Sequence, residues 1–537
     1  MQDMRKTNAG TLAARLKSHG VRYAFGIPSG QVLALIEAFT QSGIRYVLVS
    51  HEMAAAFMAD VTGRLTGIPG VAIATLGPGA TNLTTGVGNA LLDRSPALII
   101  TGQVPVSQMG RRVQMHIDHQ VLMRPLTKES FLLEPGSVAD TVDQAMGLAA
   151  AEPPGPVHLD VPEDVAVAES GEAPSRLLRF EPEVSRKVSG LAQGLDILRQ
   201  ARRPVVALGL SAARLGIGPL VRRFVERHSV PFVSTMMGKG VLPDEHPLCI
   251  GVLGRARHRW VEEYLAHADL VIGIGYDPVE IGYEDWMPKV PLIHIDREGV
   301  DADSPVKVAG EVRGDLKMIL PELAKATLPR YAWDLERLRA FRSALLHSLR
   351  PAGRRLQPHQ VLDLLRAWLP RDGILACDVG AHTHIVATQW LIAAPENLLV
   401  SNGWSSMGYA IPAAMAAKLA RPNREVVCLM GDGGFLMLAG EMATAARLGL
   451  KILFVVLRDE SLSLIEAKQR KRNYHLVGVA LRERWARTSI NYFGVPCIQA
   501  GSPRAFRNAL SRASRLRSPL IIEAHVDGSK YQEILYQ

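Results

Sequence analysis

The sequence predicts an α/β protein built from three doubly wound parallel-sheet domains. Three observations carry that expectation. Short apolar runs alternate with segments of helical period along most of the chain, the pattern of strands joined by crossover helices. The alternation is interrupted twice, by a proline-broken polar stretch and by a charged helical stretch. The length of 537 residues leaves room for three or four domains at ~150 residues each.

The first segment covers residues 1–168. Its opening, "MQDMRKTNAGTLAARLKSHG", reads as an amphipathic helix with Leu12, Ala13 and Leu16 on one side. Strands are expected at "RYAFGI", "RYVLVS", "GVAIATL", "PALIITG" and "PVHLDVP". The stretch "EDVAVAESGEAPSRLLRFEPEVSRK" reads as a linker. The second segment, 188–328, has strands at "PVVALGL", "PFVSTM", "LVIGIGY" and "LIHIDR", and fades into "PRYAWDLERLRAFRSALLHSLRPAGRR". The third, 356–537, has strands at "GILACDVG", "NLLVSN", "EVVCLMGD", "KILFVVLRD" and "PLIIEAHV". The first and third segments match in size and class, with no short-period repeat.

Composition narrows the function classes. Hydrophobic residues make up 47% and charged residues 21%, ordinary for a folded soluble chain. No run approaches the ~20 apolar residues that cross a bilayer. The N-terminus lacks the apolar core of a signal peptide. Cys249, Cys377, Cys428 and Cys497 lie far apart, so neither disulfides nor a zinc site are expected, and a cytoplasmic location follows. Net charge is +9, but the basic residues are scattered. The densest cluster, Lys468 to Arg472, reads as a solvated helix face or as a site for acidic ligands. No aromatic-basic module of the nucleic-acid-binding kind is present.

The chemistry concentrates at strand ends. One apolar run stops at Gly431-Asp432-Gly433-Gly434 and the next at Arg458-Asp459, placing two aspartates 27 positions apart. Ligands of open α/β sheets bind at the carboxyl edge of the strands. Glycines there let backbone N–H groups approach an anion, and the following helix start favours phosphate. An aspartate beside phosphate implies a bridging Mg²⁺, because hard cations take oxygen ligands. In "RYVLVSHEMAAAF", Glu52 follows a strand. On its own this also fits a helix start, with Ser50 as N-cap and an acid favoured in the first turn. A strand enters Gly77-Pro78-Gly79, with a helix expected from about Thr81-Asn82.

These motifs together resemble the thiamine-diphosphate-dependent enzymes of the acetolactate synthase type, nearest to their flavin-free catabolic members. The resemblance runs through nearly the whole chain in order. It rests on the Gly-Asp-Gly string with its second acidic strand end, on "LGPGATNLTTGVGNALLDRSP", on "RRVQMHIDHQVLMRPLTKESF", on "CDVGAHTHIVATQW" and on "SNGWSSMGYAIPAAMAA". It implies thiamine diphosphate and Mg²⁺, with Asp432, Asp459 and the Ser461 carbonyl as metal ligands. Asp459 stands where the family usually has an amide.

It further implies that Glu52 hydrogen-bonds the cofactor's pyrimidine ring and promotes the tautomer that removes the thiazolium proton, the cofactor carrying the hard chemistry. Pro28, Pro78, Asn82, Gly380, His382, Ser405, Met407, Gly431, Gly433, Gly434, Leu462 and Leu464 would line the cofactor. Met407 would wedge its two rings together, and the Ser405 carbonyl would accept from the aminopyrimidine. Gln114, which lies 11 residues before Pro125, would touch cofactor or substrate, and His116 and His119 are further candidates. "LVIGIGYDPVEIGYEDW" lacks the basic-acidic string of flavin-binding relatives, so FAD is not expected.

Gln31 stands where catabolic relatives have a lysine for the substrate carboxylate, and Ser463 where a glycine is common. The segment 464–474 is the expected lid, with Lys468 steering an anionic acceptor. The implied reaction is decarboxylation of a 2-oxo acid and ligation to an acceptor carbonyl, two pyruvates giving 2-acetolactate and CO₂. A thiamine-dependent decarboxylase or carboligase for a larger 2-oxo acid remains the alternative. Sites shared between subunits imply a homodimer or dimer of dimers. A nucleotide-dependent oxidoreductase would need a Gly-x-Gly-x-x-Gly turn followed by an acid, and the chain has none.

Overall fold

Apolar runs closed by glycine, proline or acidic residues become strands, and the helices between them force parallel pairing. The computed structural model describes residues 3–171, 187–253, 259–281, 290–300, 307–353, 355–481, 490–515 and 517–531. The strands fall into three sheets, each drawn from one stretch of chain.

The first sheet contains β1 (Tyr23–Gly26), β2 (Arg45–Leu48), β3 (Gly70–Ala74), β4 (Ala97–Gln103), β5 (Ser130–Leu132) and β6 (Pro156–Pro162). Its order is β2-β1-β3-β4-β6-β5, with every pair parallel. The second contains β7 (Pro204–Leu208), β8 (Phe232–Ser234), β9 (Cys249–Val252), β10 (Leu270–Ile274), β11 (Leu292–Asp296) and β12 (Val308–Arg313), in the order β12-β11-β10-β7-β8-β9. The third contains β13 (Ile374–Cys377), β14 (Leu398–Val400), β15 (Val426–Gly431), β16 (Leu453–Arg458), β17 (Asn491–Tyr492), β18 (Val495–Ala500) and β19 (Leu520–His525). Its order is β14-β13-β15-β16-β19-β18-β17, with β17 antiparallel at the edge. Counted along the chain, the parallel strands of the third sheet repeat the order of the first.

The first and third units share a core. The alanine-rich face of helix Glu52–Thr66 packs against helix Ala410–Ala420, and Phe57 meets Tyr409 edge to face at 5.4 Å between centroids. The second unit is tied to the first by charge. Arg94 donates to Asp277 at 3.0 and 3.2 Å and to Glu298 at 3.2 Å, and Arg214 pairs with Glu152. All four cysteines are free and buried. Among the described residues no helix is long and apolar enough to cross a membrane.

Some expectations need correction. The stretch read as a linker begins with a helix, Glu163–Val167, because Val165 and Ala166 find a core to enter. Glu169 then bridges to Thr7, and residues 172–186 lie outside the described residues. Residues 282–286 of the expected flavin-free string lie outside them too. The segment 464–474, expected as a lid, forms the helix Ser463–Lys471 over most of its length, with Ala467 as its buried residue, and its secondary structure does not bear on that role.

In the second sheet, the first and fourth strands in chain order, β7 and β10, are neighbours. Their carboxyl ends form the crevice where dinucleotides bind in related topologies. Here the anion position at the first turn is filled from within. The Glu280 carboxylate accepts the Leu210 N–H at 2.8 Å and the Asp277 N–H at 3.3 Å. A β-carbon at Gly209 would lie 2.6 Å from Glu280 Oε2. Burial pushes Glu280 up to about 8. Its folded-state value thus exceeds its unfolded one, so its contribution to stability is greatest in acid and is lost as the pH rises through about 8. Between about pH 5 and pH 8 the melting midpoint should fall more for the parent protein than for Glu280→Gln, by ~1–3 °C in a thermal melt.

Candidate active site

Two groups of residues gather at sheet edges. The first is built around Glu52. Strand β2 ends at Leu48, and the next turn leads into helix Glu52–Thr66. Its cap is His51, not Ser50: His51 Nδ1 accepts the Met53 N–H at 3.0 Å. Ser50 is drawn elsewhere, because its hydroxyl donates to the Gly440 carbonyl at 3.0 Å. The Ser50 and His51 N–H groups both donate to the buried Glu441 carboxylate, at 2.8 and 3.0 Å. The third unit therefore fixes the turn that presents Glu52.

Glu52 is only 9% exposed, and its Oε2 accepts from the Asn82 side-chain amide at 3.0 Å. Asn82 belongs to helix Pro78–Leu92, which starts three residues earlier than expected because proline fits the first helical position. Gly77 precedes it at φ +60°, ψ −108°. A β-carbon there would lie 2.4 Å from the Met115 carbonyl oxygen, so the loop bearing Gln114 rests directly on this turn. Gln114 is exposed at the corner of a turn closed by the His116 N–H on the Val113 carbonyl at 3.3 Å. Gln31 Oε1 accepts the Thr75 hydroxyl at 3.1 Å. Pro28, Pro78 and Asn82 are exposed around the same edge.

The second group lies at the edge of the third sheet. Strands β15 and β16 are parallel neighbours, which brings Asp432 and Asp459 together as their spacing promised. Asp432 accepts the Gly433 N–H at 2.9 Å and the Glu460 N–H at 2.8 Å. Asp459 accepts the Ser463 hydroxyl at 2.5 Å and the Ser461 N–H at 3.3 Å. Serine at 463 is thus matched to the acid at 459. Burial, then the charge of Asp459, pushes Asp432 up to about 7; burial pushes Asp459 up to about 6. Two half-buried carboxylates side by side, one raised by the charge of the other, suit a divalent cation between them. Among the described residues no three His, Cys, Asp or Glu side chains form a metal cage. A pair of carboxylates with a main-chain carbonyl does not require a third.

Above this pair the glycines leave space that side chains fill. A β-carbon at Gly433 would lie 2.6 Å from Leu462 Cδ2 and 3.0 Å from Met407 Cε. His382 is buried against Gly380 and Gly431. Burial pushes it down to about 4, and among the described residues its Nε2 has no hydrogen-bond partner. A neutral imidazole and bare glycine backbone suit a polar anionic group. Leu464 packs inward on the core, whereas Lys468 is exposed on the solvated helix face.

Asp378 was not singled out in the sequence. It is buried and pushed up to about 7 by burial. It accepts the Gly408 N–H at 3.0 Å and lies against Gly434, so it ties the turn of Met407 to the Gly-Asp-Gly helix. The available signal was its place directly after an apolar run, shared with Asp432 and Asp459. Three of the non-glycine residues with positive φ also fall here: Met115 (64°), Ser405 (51°) and Glu460 (59°). Such outliers gather at functional sites.

Within one chain the two groups meet different parts of helix Pro78–Leu92. Glu52 touches its first turns. The loop bearing Ser405 follows its far end: the Trp404 ring would lie 2.8 Å from a β-carbon at Gly88, and Asp93 accepts the Gly403 and Asn402 N–H groups at 2.7 and 3.2 Å.

Three family models match this chain. Residues 6–123 match the thiamine pyrophosphate enzyme N-terminal TPP binding domain, 191–323 the central domain and 378–524 the C-terminal TPP binding domain. The acetolactate synthase large subunit of Parasynechococcus marenigrum is 30% identical, across 97% of this chain and 87% of the relative. The acetolactate synthase isozyme 1 large subunit of Escherichia coli is 32% identical, across 87% and 84%.

The chain belongs to the thiamine pyrophosphate enzyme family. A third relative, the acetolactate synthase large subunit of Lactococcus lactis, is 31% identical across 84% of this chain and 81% of its own length. For a thiamine pyrophosphate enzyme of this acetolactate synthase-like kind, the matched terminal domains are the two that carry Glu52 and the Asp432–Asp459 pair. The three parallel sheets are the fold expected of it.

Proposed function

We propose that this protein is a thiamine-diphosphate-dependent acetolactate synthase, joining two molecules of pyruvate into 2-acetolactate with release of CO₂. The observation that carries the reading is the pairing of a buried Glu52, held by Asn82, in one cofactor-binding domain with the half-buried Asp432–Asp459 pair in the other. Bound thiamine diphosphate supplies a nucleophilic carbon and takes up the electrons left by decarboxylation. Asp432, Asp459 and the Ser461 carbonyl would hold Mg²⁺. Gly380, His382, Gly431, Gly433 and Gly434 would border the diphosphate. Met407, Leu462 and the Ser405 carbonyl shape the ring-binding space, and Leu464, Pro28 and Pro78 border it. Glu52 exchanges a proton at the pyrimidine, while Gln114, Gln31 and Lys468 face the 2-oxo acid.

Glu280, seated where a dinucleotide phosphate would go, supports a flavin-free enzyme. The four buried thiols fit a cytoplasmic location. The domains span 1–168, 188–328 and 356–537.

The active unit is a homodimer, alone or paired as a dimer of dimers, with each site shared between subunits. Its support is that a chain's own Ser405 loop lies along the far end of the helix whose start faces Glu52. Mixing inactive Glu52→Gln and Asp432→Ala subunits in equal amounts should then restore about a quarter of parental activity. Half of the dimers are hybrids, each with one intact site. No recovery would place both groups of one site in a single chain.

The function is tested by supplying thiamine diphosphate, Mg²⁺ and a panel of 2-oxo acids and reading products by NMR. Acetolactate from pyruvate alone is expected. Turnover of a larger 2-oxo acid without pyruvate turnover would select the second reading, favoured by Gln31, a neutral amide bonded to Thr75 in place of a cation for the carboxylate. Asp93→Ala should weaken thiamine diphosphate binding about tenfold by freeing the Ser405 loop, which Trp404 fluorescence can follow.

A further inference from the structure

One buried carboxylate anchors two pieces of the site. Asp160 lies in β6 and, with Thr101, Gln103, His119 and His158, is at most 1% exposed. The proton positions in this cluster follow from the bonds. The Gly77 N–H donates to His119 Nε2 at 3.1 Å, so that nitrogen carries no proton. Nδ1 therefore carries it and donates to Asp160 Oδ1 at 2.9 Å.

Thr101 gives its one proton to the same oxygen at 2.6 Å. It can then only accept from His158 Nε2, at 2.8 Å, and His158 Nδ1 accepts the Ser130 hydroxyl at 2.7 Å. The Gln103 amide donates to Asp160 Oδ2 at 3.1 Å and to the Ile117 carbonyl at 3.4 Å. Its oxygen accepts from His116 Nδ1 at 2.9 Å and from the Val104 N–H at 2.9 Å. Thr101 and Gln103 also approach His119 Nδ1 at 3.2 Å, as groups crowding one carboxylate do.

Two arms therefore leave Asp160. One runs through His119 to Gly77, whose φ of +60° favours glycine and whose position sets the start of the helix that carries Asn82 to Glu52. The other runs through Gln103 to His116 and Ile117, which pin the turn bearing Gln114.

We propose that His119 is a positioning residue, holding the Gly77 turn and through it the Asn82–Glu52 contact, and that Gln103 does the same for the Gln114 turn. This rests on the roles proposed above for Glu52 and Gln114. The arms have separate signatures, which a merely structural role would not produce.

The test uses His119→Phe, which keeps an aromatic ring and removes both bonds. Without cofactor, peptides spanning residues 75–83 should exchange amide hydrogens about tenfold faster by mass spectrometry. With thiamine diphosphate and Mg²⁺, exchange of the cofactor's thiazolium proton should slow ~10-fold or more, with the KM for pyruvate held within about threefold. His119→Gln keeps one donor and one acceptor and should restore both readouts to within about threefold. Gln103→Met should instead raise the KM about tenfold and leave thiazolium proton exchange unchanged.

Should His119→Phe not fold, His119→Asn replaces it, since its shorter amide reaches Asp160 or Gly77 but not both. Parental amide protection and parental thiazolium exchange in that variant would overturn the proposal. So would equal, uniform losses in the His119 and Gln103 variants. A parent protein that neither exchanges the thiazolium proton nor turns over any 2-oxo acid would instead remove the proposed function itself.

Discussion

Glu52→Gln is expected to lower turnover by ~10²–10⁴-fold, the range lost when a positioned acid–base group is removed, while leaving the fold and cofactor binding intact. The argument lies in what surrounds the side chain. Glu52 is held by Asn82 on one oxygen, and its turn is held by Glu441. Glutamine fits the same space and can still bond to Asn82, so packing is preserved. What is lost is a carboxylate able to share a proton. Steady-state turnover, thiamine diphosphate titration and thiazolium proton exchange should be measured together. Unchanged turnover would exclude Glu52 from cofactor activation, and a collapse of cofactor affinity would assign it a binding role instead.

The second large effect is at the metal. Asp432→Ala should reduce activity at least ~10²-fold at limiting Mg²⁺ by removing an oxygen ligand for which a hard cation has no other source at that point. Asp459→Asn should behave differently. An amide keeps an oxygen toward the metal, so activity should stay within about tenfold of the parent. Ser463 donates to Asp459 at 2.5 Å, and that hydroxyl can serve either residue. A Mg²⁺ titration of each variant separates the outcomes. Equal loss in both would mean that charge rather than oxygen donation governs the site.

The sheet edges were legible because apolar runs end abruptly where a strand meets solvent or ligand. Asp432 and Asp459 could be paired from sequence alone since a crossover of that length joins adjacent parallel strands. The short strands β5, β9 and β12 were not foreseen; three to six residues of mixed character give little periodic signal. The cap at His51 was hidden because Ser50 is a better cap in isolation, and only the contact with Gly440 takes it away. The cluster at Asp160 could not be read at all. Its members lie on β4, on β6 and at the start of helix His119–Met123, and nothing in their local spacing says that they converge. His119 reads from the sequence as a further candidate to touch cofactor or substrate; it is instead buried, and its bonds run to Gly77 and Asp160.

The repeated strand order of the first and third sheets has a consequence for how such a protein could arise and change. In both, the connection after the second strand and the connection after the third carry the side chains that matter: Glu52 and the Gly77 turn in one, the Ser405–Met407 loop and the Gly431–Asp432 turn in the other. Two copies of one chain plan have divided the labour of gripping a molecule whose ends differ chemically. In both, these residues sit on loops or helix starts at or beyond the strand ends rather than in the body of the sheets. Each half can therefore acquire a new preference without endangering its scaffold, and the loops bearing Gln31 and Gln114 are where a change of substrate would be written.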